Sequence, residues 1–301
     1  MNKWPAAIVN NRKEKTGGKI IVETGLQGSN SILLVCLLTA VIHTVDTLSY
    51  GARVAGIRTR RLYLAVTLFS IVALAARTAH LLQAPLLGYY VDSVILLGHI
   101  SLLRDSFRLI ILSATLGSIT AVLLLPTFIH IFVYLIGALE RAESLGAMVL
   151  NMLNAPHFLK RASNKLRENL KRPRFSHLFI IKEKKMPEHI LILYIFVVSI
   201  NTVGVLSAIY AGALVPDYRL TASQMSGILN GFSTIVLTFF IDPYAALITD
   251  HTLVGRKGFS DLNALIIYLI FGKIVGTLLG QLTFLPCAHL VVLVTNLLQK
   301  L

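Results

Sequence analysis

The chain has 301 residues, of which 55% are hydrophobic and only 14% are charged. Soluble domains usually have about a quarter of their residues charged, so this composition excludes an ordinary soluble protein and predicts a membrane protein. The formal net charge of +14 indicates an anionic partner. In so hydrophobic a chain, membrane lipids or a lipid-linked anion are favoured over nucleic acid.

The N-terminal residues 1–29 are polar and mixed in charge, and the first long apolar run starts near Ser31. A spanning helix needs roughly 20 mostly apolar residues. The runs that meet this requirement are 31–51, 62–83, 107–139, 189–214, 226–249 and 262–282. The sequence therefore predicts an all-α polytopic membrane protein with about six transmembrane helices.

Two weaker apolar segments each follow a proline, Pro85 in one case and Pro286 in the other. Hydropathy does not distinguish a short span from a re-entrant piece or an interfacial helix. We therefore expect two short re-entrant or interfacial helices beside the six spans, with eight spans as the alternative.

The longest polar segment, residues 155–188, is rich in lysine and arginine. The positive-inside rule places it in the cytoplasm, where it would also contact anionic headgroups. The loops "RVAGIRTRR" (53–61) and "VGRKG" (254–258) are also basic, and a six-span chain puts all three on one side. That arrangement places the N-terminus outside, in conflict with its basic "NRKEK" stretch, so the orientation stays open.

Two parts of the chain resemble each other, which predicts an internal repeat. The segments "HTVDTLSYGARVAGIRTRR" and "FFIDPYAALITDHTLVGRKG" each place an acid near the end of a span, followed by a tyrosine and a glycine-basic turn. The separation from Asp46 to Arg77 equals that from Asp242 to Lys273. Transporters are often built from such repeats, with the substrate site where the repeats meet. A parallel and an inverted repeat both stay open.

These features divide the chain into five parts. A polar N-terminal segment (1–29) precedes the first repeat with its following span (30–140). A basic cytoplasmic loop (141–188) and a connecting span (189–225) then lead to the second repeat (226–301).

Several ionisable side chains lie inside the predicted spans, namely His43, Asp46, Arg77, His80, His130, Asp242 and Lys273. Each costs at least a few kcal/mol in a membrane, so such residues are normally paired, cavity-facing and functional. Asp46, Tyr50 and Arg53 follow one another at helical spacing, and His43 lies one turn earlier. This polar stripe on an apolar helix predicts a water-filled interior surface.

The alternative is a purely structural role for the charges. In that case the ion pairs Asp46–Arg77 and Asp242–Lys273 would each lock two helices of a hairpin together. If Asp46 only orients Arg77, replacing it with asparagine is expected to be milder than losing Arg77. A proton relay through His43 and Asp46 is a weaker hypothesis.

Four arginines cluster at the end of the first span: Arg53, Arg58, Arg60 and Arg61. They fit a phosphate clamp at the membrane face, because the planar guanidinium binds two phosphate oxygens at once. For the last three, the positive-inside signal explains the sequence equally well. Arg53 and Arg77 are the stronger candidates for binding phosphate, because the positive-inside rule does not require a cation so deep in a span.

Motifs typical of enzymes are not found in the sequence. It has no P-loop, which disfavours ATP-driven transport by this chain, and no paired acidic cluster for Mg²⁺. It also has no zinc-ligand spacing, so we interpret His130 as a hydrogen-bonded core histidine or an interfacial residue. We therefore expect no catalytic residue, no metal and no cofactor.

The blocks "HTVDTLSYGARVAGIRTRR", "RTAHLLQAPLLG" and "FIDPYAALITDHTLVGR" resemble the bacterial lipid II flippase family called Amj (alternate to MurJ). The resemblance extends from about Ser29 to the C-terminus. It implies a multi-pass protein of the bacterial cell membrane that moves lipid II, the undecaprenyl-diphosphate-linked peptidoglycan precursor, to the outer leaflet. It also implies a role in cell-wall synthesis and cell shape. The resemblance identifies no binding residues.

The in-span charges fit this expectation on chemical grounds, because a cationic, polar interior would lower the cost of moving a diphosphate through hydrocarbon. We predict alternating access without ATP. The predicted substrate-binding residues are Arg53, Arg58, Arg61, Arg77, His80 and Lys273. The residues predicted to pair with these cations or orient them are His43, Asp46, Tyr50 and Asp242.

The predicted partners are lipid II and membrane lipids, without nucleic acid, and a homodimer stays open. Two other functions also stay open. One is a membrane phosphatase or transferase acting on polyprenyl phosphates, which would need a nucleophile or a metal site. The other is a scaffold of the cell-wall machinery, which would not need charges inside its spans.

Overall fold

The computed structural model describes residues 17–96, 98, 100–142, 144, 146–147 and 186–300, without the side chains of residues 17–30 and of Arg77. Its helices are α1 (Gly17–Leu48), α2 (Gly51–Thr59), α3 (Leu62–Leu96), α4 (Ile100–Ala142), α5 (Glu188–Leu214), α6 (Arg219–Gln224), α7 (Ser226–Val236), α8 (Asp242–Leu253) and α9 (Phe259–Leu298). A 3₁₀ turn (Pro216–Tyr218) precedes α6, and a π-helical segment (Leu237–Ile241) joins α7 to α8. The described residues include no β-strand, which confirms the all-α prediction.

Six helical segments are long and apolar enough to cross a membrane: Ser31–Thr59, Leu62–Leu96, Ile100–Ala142, Glu188–Leu214, Pro216–Leu253 and Phe259–Leu298. The prediction of six spans is therefore confirmed. The described part of the chain contains no further helices that could serve as a seventh and an eighth span. Consecutive crossings place the connections after α2, α4 and α8 at one end of the bundle, which we call the basic end. Most of the predicted loop 155–188 lies outside the described residues.

The two apolar segments after Pro85 and Pro286 are not separate helices, which corrects the prediction of re-entrant or interfacial pieces. Pro85 lies inside α3 and Pro286 lies inside α9, and each helix continues without a turn. A proline removes one helical hydrogen bond but need not end a helix. In a membrane the backbone must satisfy its polar groups internally, so an apolar chain on both sides of a proline favours one long helix.

The first span also differs from its prediction at its C-terminal end. The segment "RVAGIRTRR" was predicted as a loop, but residues up to Thr59 form α2, and only Arg60 and Arg61 connect it to α3. Arg60 has a left-handed backbone (φ 55°). Its amide donates to the Ile57 carbonyl, and the amide of Arg61 donates to the Gly56 carbonyl. The helix is closed in the usual way by a left-handed residue, although here that residue is not glycine.

Regular helix geometry is interrupted beside both acids of the predicted repeat. The first span breaks between α1 and α2, just after Asp46. The fifth span has its π-helical segment just before Asp242, where Pro243 supplies no amide hydrogen to the helix. π-Helical segments and broken spans are frequent at functional sites of membrane proteins. The internal repeat itself stays a prediction.

Glycines allow the central helices to approach closely. A methyl group at Gly276 of α9 would lie 2.8 Å from the carbonyl oxygen of Ile195 in α5, and one at Gly117 of α4 would lie 2.2 Å from that of Ala40 in α1. Membrane helices associate through such small residues because lipid provides no hydrophobic drive for their contact. The helix pairs α5–α9 and α1–α4 therefore form the tightly packed centre of the fold.

Two buried apolar clusters lie at different heights along the bundle. On α9, one cluster ends at Ile270 near the basic end and the other begins again at Phe284. Between them α9 buries polar residues, among them Lys273 and Thr277. Lys273 and its partner Asp46 thus lie where the apolar packing along α9 is interrupted.

Candidate functional site

Lys273 of α9 forms an ion pair with Asp46 of α1. The lysine is almost fully buried, at 4% exposure, whereas about half of the aspartate side chain (49%) is exposed. The Lys273 ammonium also lies 5.7 Å from the ring centroid of Tyr50, within range of a cation–π contact. A buried ammonium requires such partners because burying an unpaired charge is very costly.

Arg53 of α2 faces Asp242 of α8, with 4.0 Å between Nη2 and Oδ1. The guanidinium also lies over the ring of Phe69 on α3, 5.9 Å from its centroid. This pair is loose, because its separation is at the upper limit for an ion pair and 63% of the Asp242 side chain is exposed. The Nε–H of Arg53 is buried and has no hydrogen-bond partner.

The ion pairs therefore cross between the two halves of the chain. The predicted pair Asp242–Lys273 is wrong, because Lys273 pairs with Asp46 and Asp242 pairs with Arg53. Each acid contacts a cation of the other half, because α9 and α8 both contact α2, which directly follows α1. Because the side chain of Arg77 lies outside the described part, the pair Asp46–Arg77 stays a prediction.

Two further side-chain pairs surround these charges. The rings of His43 on α1 and His80 on α3 lie edge to face, with 6.3 Å between their centroids. Nδ1 of His43 is buried without a hydrogen-bond partner, whereas His80 is exposed. The hydroxyl groups of Tyr50 and Tyr194 are 2.7 Å apart and share a hydrogen bond.

Tyr194 of α5 is the residue of this cluster that the sequence did not indicate. It lies in the apolar run "LILYIFVV" with no charge or repeat partner to single it out. It is 2% exposed, and its only visible signal was a polar hydroxyl within a span. Through Tyr50 it connects α5 to the charged cluster, so α5 also contributes to the site.

The structure does not bring the arginines at the end of α2 into this cluster. Arg58 lies over Phe259, 5.7 Å from the ring centroid, and Arg61 forms an ion pair with Glu140 of α4. Arg58 lies near the C-terminal end of α2, beyond the break that separates α2 from Asp46 of α1. These arginines therefore belong to the basic end, where a pocket of about 660 Å³ is lined by Arg60, Arg61, Leu62, Tyr63, Leu64, Thr67, Leu139, Glu140, Ser144 and Leu253.

The two glutamines that precede the prolines of the predicted repeat join helices. The side-chain amide of Gln83 is buried and donates to the Val35 carbonyl, 3.0 Å away, which ties α3 to α1. The amide of Gln281 donates to the Arg108 carbonyl, 2.8 Å away, which ties α9 to α4. The prediction for His130 is also confirmed, because its Nδ1 forms a hydrogen bond of 2.7 Å with the Pro126 carbonyl.

Charge balance limits what the cluster can bind. The two described cations, Lys273 and Arg53, each face one carboxylate, so the described pairs are formally neutral. An anion must therefore either use the donors of Arg53 that are not saturated or displace Asp46 from Lys273. Both carboxylates are half-exposed or more, whereas the cations are mostly buried, so the carboxylates are the members that can move away.

A family model described as "Amj: Alternate to MurJ" matches residues 38–295 of the chain. The chain is also 28% identical over 274 residues to the protein named Lipid II flippase Amj of Bacillus subtilis (strain 168), an alignment that covers 89% of this chain and 98% of that protein. No solved structure matches the chain significantly. The family match overlaps all six spans, which agrees with a multi-pass protein of a bacterial membrane. The extent of the family match, which includes every described residue of the charged cluster, shows that this chain belongs to the Amj (alternate to MurJ) family.

Proposed function

We propose that this chain is a flippase that moves lipid II, the undecaprenyl-diphosphate-linked peptidoglycan precursor, from the cytoplasmic to the outer leaflet of the bacterial cell membrane. The relative of known name, Lipid II flippase Amj, supports this assignment. The structural observation that carries it is the pair of crossed ion pairs, Asp46–Lys273 and Arg53–Asp242, inside the spans. Charges at this depth are costly and typically mark the path of a charged substrate.

Arg53 is the first candidate for binding the diphosphate. Its guanidinium is mostly buried, one of its donors has no partner, and its nearest carboxylate is 4.0 Å away. A phosphate could accept hydrogen bonds from the guanidinium in the bidentate geometry that arginine favours. Only the weak contact between Arg53 and Asp242 would be lost. The exposed carboxylate of Asp242 would then move away from the incoming negative charge.

Lys273 is the second candidate, and it requires a rearrangement. Its ammonium is engaged by Asp46 and lies over Tyr50, so a diphosphate reaches it only when the carboxylate leaves. In this proposal Asp46 occupies the substrate's place while the site is empty. Arg77 and His80 of α3 would complete the cationic lining, as predicted from their position in the span.

The crossed pairs also provide a reason for alternating access. Each pair joins an element of the first half to an element of the second half, α1 to α9 and α2 to α8. A substrate that replaces these contacts removes the links between the halves, which favours their relative movement. Broken helix geometry beside both acids supplies the places where such movement costs least.

The basic end provides an entry site in this scheme. Arg61 is paired with Glu140 in an exposed ion pair of low expected stability, and both residues line the pocket at the basic end. Arg58 and Arg61 would first attract the diphosphate headgroup from the cytoplasmic leaflet. The headgroup would then move along α2 towards Arg53.

A liposome assay tests the function directly. The purified chain is reconstituted with lipid II that carries a label on its sugar headgroup, and the fraction of label reached by a membrane-impermeant reagent is followed with time. Movement of intact lipid II to the opposite leaflet is the expected result. Release of the labelled headgroup would instead identify a phosphatase or transferase, and no change relative to empty liposomes would favour a scaffold.

A matched variant makes the assay specific for the site. Arg53→Gln should lose transport, while Arg104→Gln should keep it, because Arg104 is exposed at the start of α4 and pairs with its neighbour Asp105. Equal transport by the two variants would contradict the role of Arg53. Both variants should reconstitute to the same level, which is checked by protein content per liposome.

A further inference from the structure

We infer that Asp46 takes up a proton when an anion binds at Lys273, and that His80 and His43 deliver this proton from outside the cluster. The inference rests on the proposed function and specifies how its site is regulated. The proton is the second ligand of the site. It neutralises the carboxylate that the anion displaces.

The first observation is the difference in burial within the pair. Lys273 is buried and forms an ion pair with Asp46, whereas the carboxylate of Asp46 is half-exposed. When an anion takes the ammonium, a charged Asp46 would lie beside the anion, and two negative charges at this distance repel strongly in a medium of low dielectric. Protonation of the carboxylate removes that repulsion. The ammonium keeps its charge, and the site gains one positive charge overall.

The second observation is a row of imidazoles between the outside of the bundle and this carboxylate. His80 is exposed, and its ring lies 6.3 Å from that of His43. His43 lies one helical turn before Asp46 and has a buried Nδ1 without a hydrogen-bond partner. An imidazole ring can accept a proton at one nitrogen and release one from the other, and a free ring nitrogen is needed for this transfer. The proton would enter at the exposed ring of His80 and move to His43, then to the Asp46 carboxylate.

Among the groups around Asp46, we expect only the Asp46 carboxylate to change its charge when the anion binds. Tyr50 faces it after the break in the first span, and its hydroxyl is bound to that of Tyr194 on α5. On α4 the Gly117 carbonyl accepts a hydrogen bond from Thr44, and it does not titrate. Arg77 of α3, predicted to lie near this carboxylate, stays charged at any relevant pH. The Arg53–Asp242 pair lies at the next level, on α2 and α8.

Proton uptake can be measured on the full chain in detergent. The probe is a soluble P¹,P²-diester of diphosphate, which itself neither gains nor loses a proton near neutral pH. Calorimetric titrations in two buffers of different ionisation enthalpy give the number of protons bound with each ligand. We expect about one proton per diester for the natural chain and none for Asp46→Asn. If Asp46→Asn does not accumulate, Asp46→Asn combined with Lys273→Met removes both charges of the pair, and it should lose diester binding at this site together with the proton uptake. Uptake of one proton by this double variant would overturn the inference.

The relay is tested by kinetics. After a rapid drop in pH, the amount of bound diester should change more slowly in His80→Gln than in the natural chain. The rate should fall on the order of 100-fold, which is the typical effect of losing a proton-transfer group. His289→Gln is the control, because this exposed histidine lies on the same side of α9 as Pro286, about 24 Å along the helix from Lys273. An unchanged rate in His80→Gln would overturn the relay.

The outcomes separate this inference from the function on which it rests. Diester binding with no proton uptake, in a chain that still moves lipid II in liposomes, would overturn the inference alone. One proton retained in Asp46→Asn would place the uptake elsewhere and also overturn it. A natural chain that binds no diester and moves no lipid II would overturn both.

Discussion

Lys273 and Asp46, which lie at opposite ends of the sequence, form an ion pair inside the bundle. The lysine is buried and the aspartate is half-exposed, so the pair has one fixed and one movable member. Such a contact stabilises the empty protein and can be opened by a substrate that competes for the ammonium. This asymmetry leads to specific expectations for variants of both residues.

Asp46→Asn should lower the free energy of unfolding substantially, by about 3–5 kcal/mol, because it leaves the buried ammonium of Lys273 without a countercharge. Thermal stability in detergent is the measurement. Adding Lys273→Met to Asp46→Asn should restore most of the loss.

The control for this stability experiment is Glu140→Gln, which removes the exposed ion pair with Arg61. Exposed pairs contribute little, so its effect should stay below about 1 kcal/mol. An Asp46→Asn chain as stable as this control would contradict the view that Lys273 depends on its partner.

Arg53→Lys should reduce transport of lipid II in liposomes by about tenfold or more, although the charge is retained. The physical reason is that lysine cannot present two donors to a diphosphate in the fixed geometry of a guanidinium. The initial rate of headgroup exposure is the measurement, with Arg104→Lys as the matched replacement at an exposed position. Natural rates in Arg53→Lys would show that only charge matters there.

Arg77→Ala should abolish complementation in bacterial cells that lack other lipid II flippases, while the protein still accumulates in the membrane. This expectation follows from the depth of Arg77 in the third helix and from the diphosphate chemistry of the proposed site. Growth is measured together with the amount of membrane-inserted chain. Normal growth at natural protein levels would refute the role of Arg77.

Gly276→Ala should destabilise the chain by roughly 1–3 kcal/mol, because the added methyl would lie 2.8 Å from the Ile195 carbonyl oxygen in the α5–α9 contact. The matched control is Gly227→Ala in α7, where nothing lies within 4 Å of the added methyl. That change should be neutral or stabilise by up to about 1 kcal/mol. The two melting temperatures are compared in the same detergent, and equal values would mean that the contact is not tightly packed.

Much of the fold could be predicted from the sequence because bilayer thickness imposes a minimum length of apolar chain. The six spans follow from that length, and the confirmed hydrogen bond of His130 follows from the cost of an unpaired polar group in a span. The in-span charges were visible for the same reason, since lysine or aspartate stands out in an apolar run. These are properties of single segments and do not depend on how the segments pack.

The choice of partners could not be predicted in this way. Whether Lys273 meets Asp46 or Asp242 depends on which helices lie side by side, and segment hydropathy contains no information about that. Tyr194 joins the cluster because packing brings its hydroxyl group within hydrogen-bond distance of that of Tyr50, 144 residues earlier in the chain. Local polarity thus determined which residues are unusual, and packing between distant segments determined which of them meet.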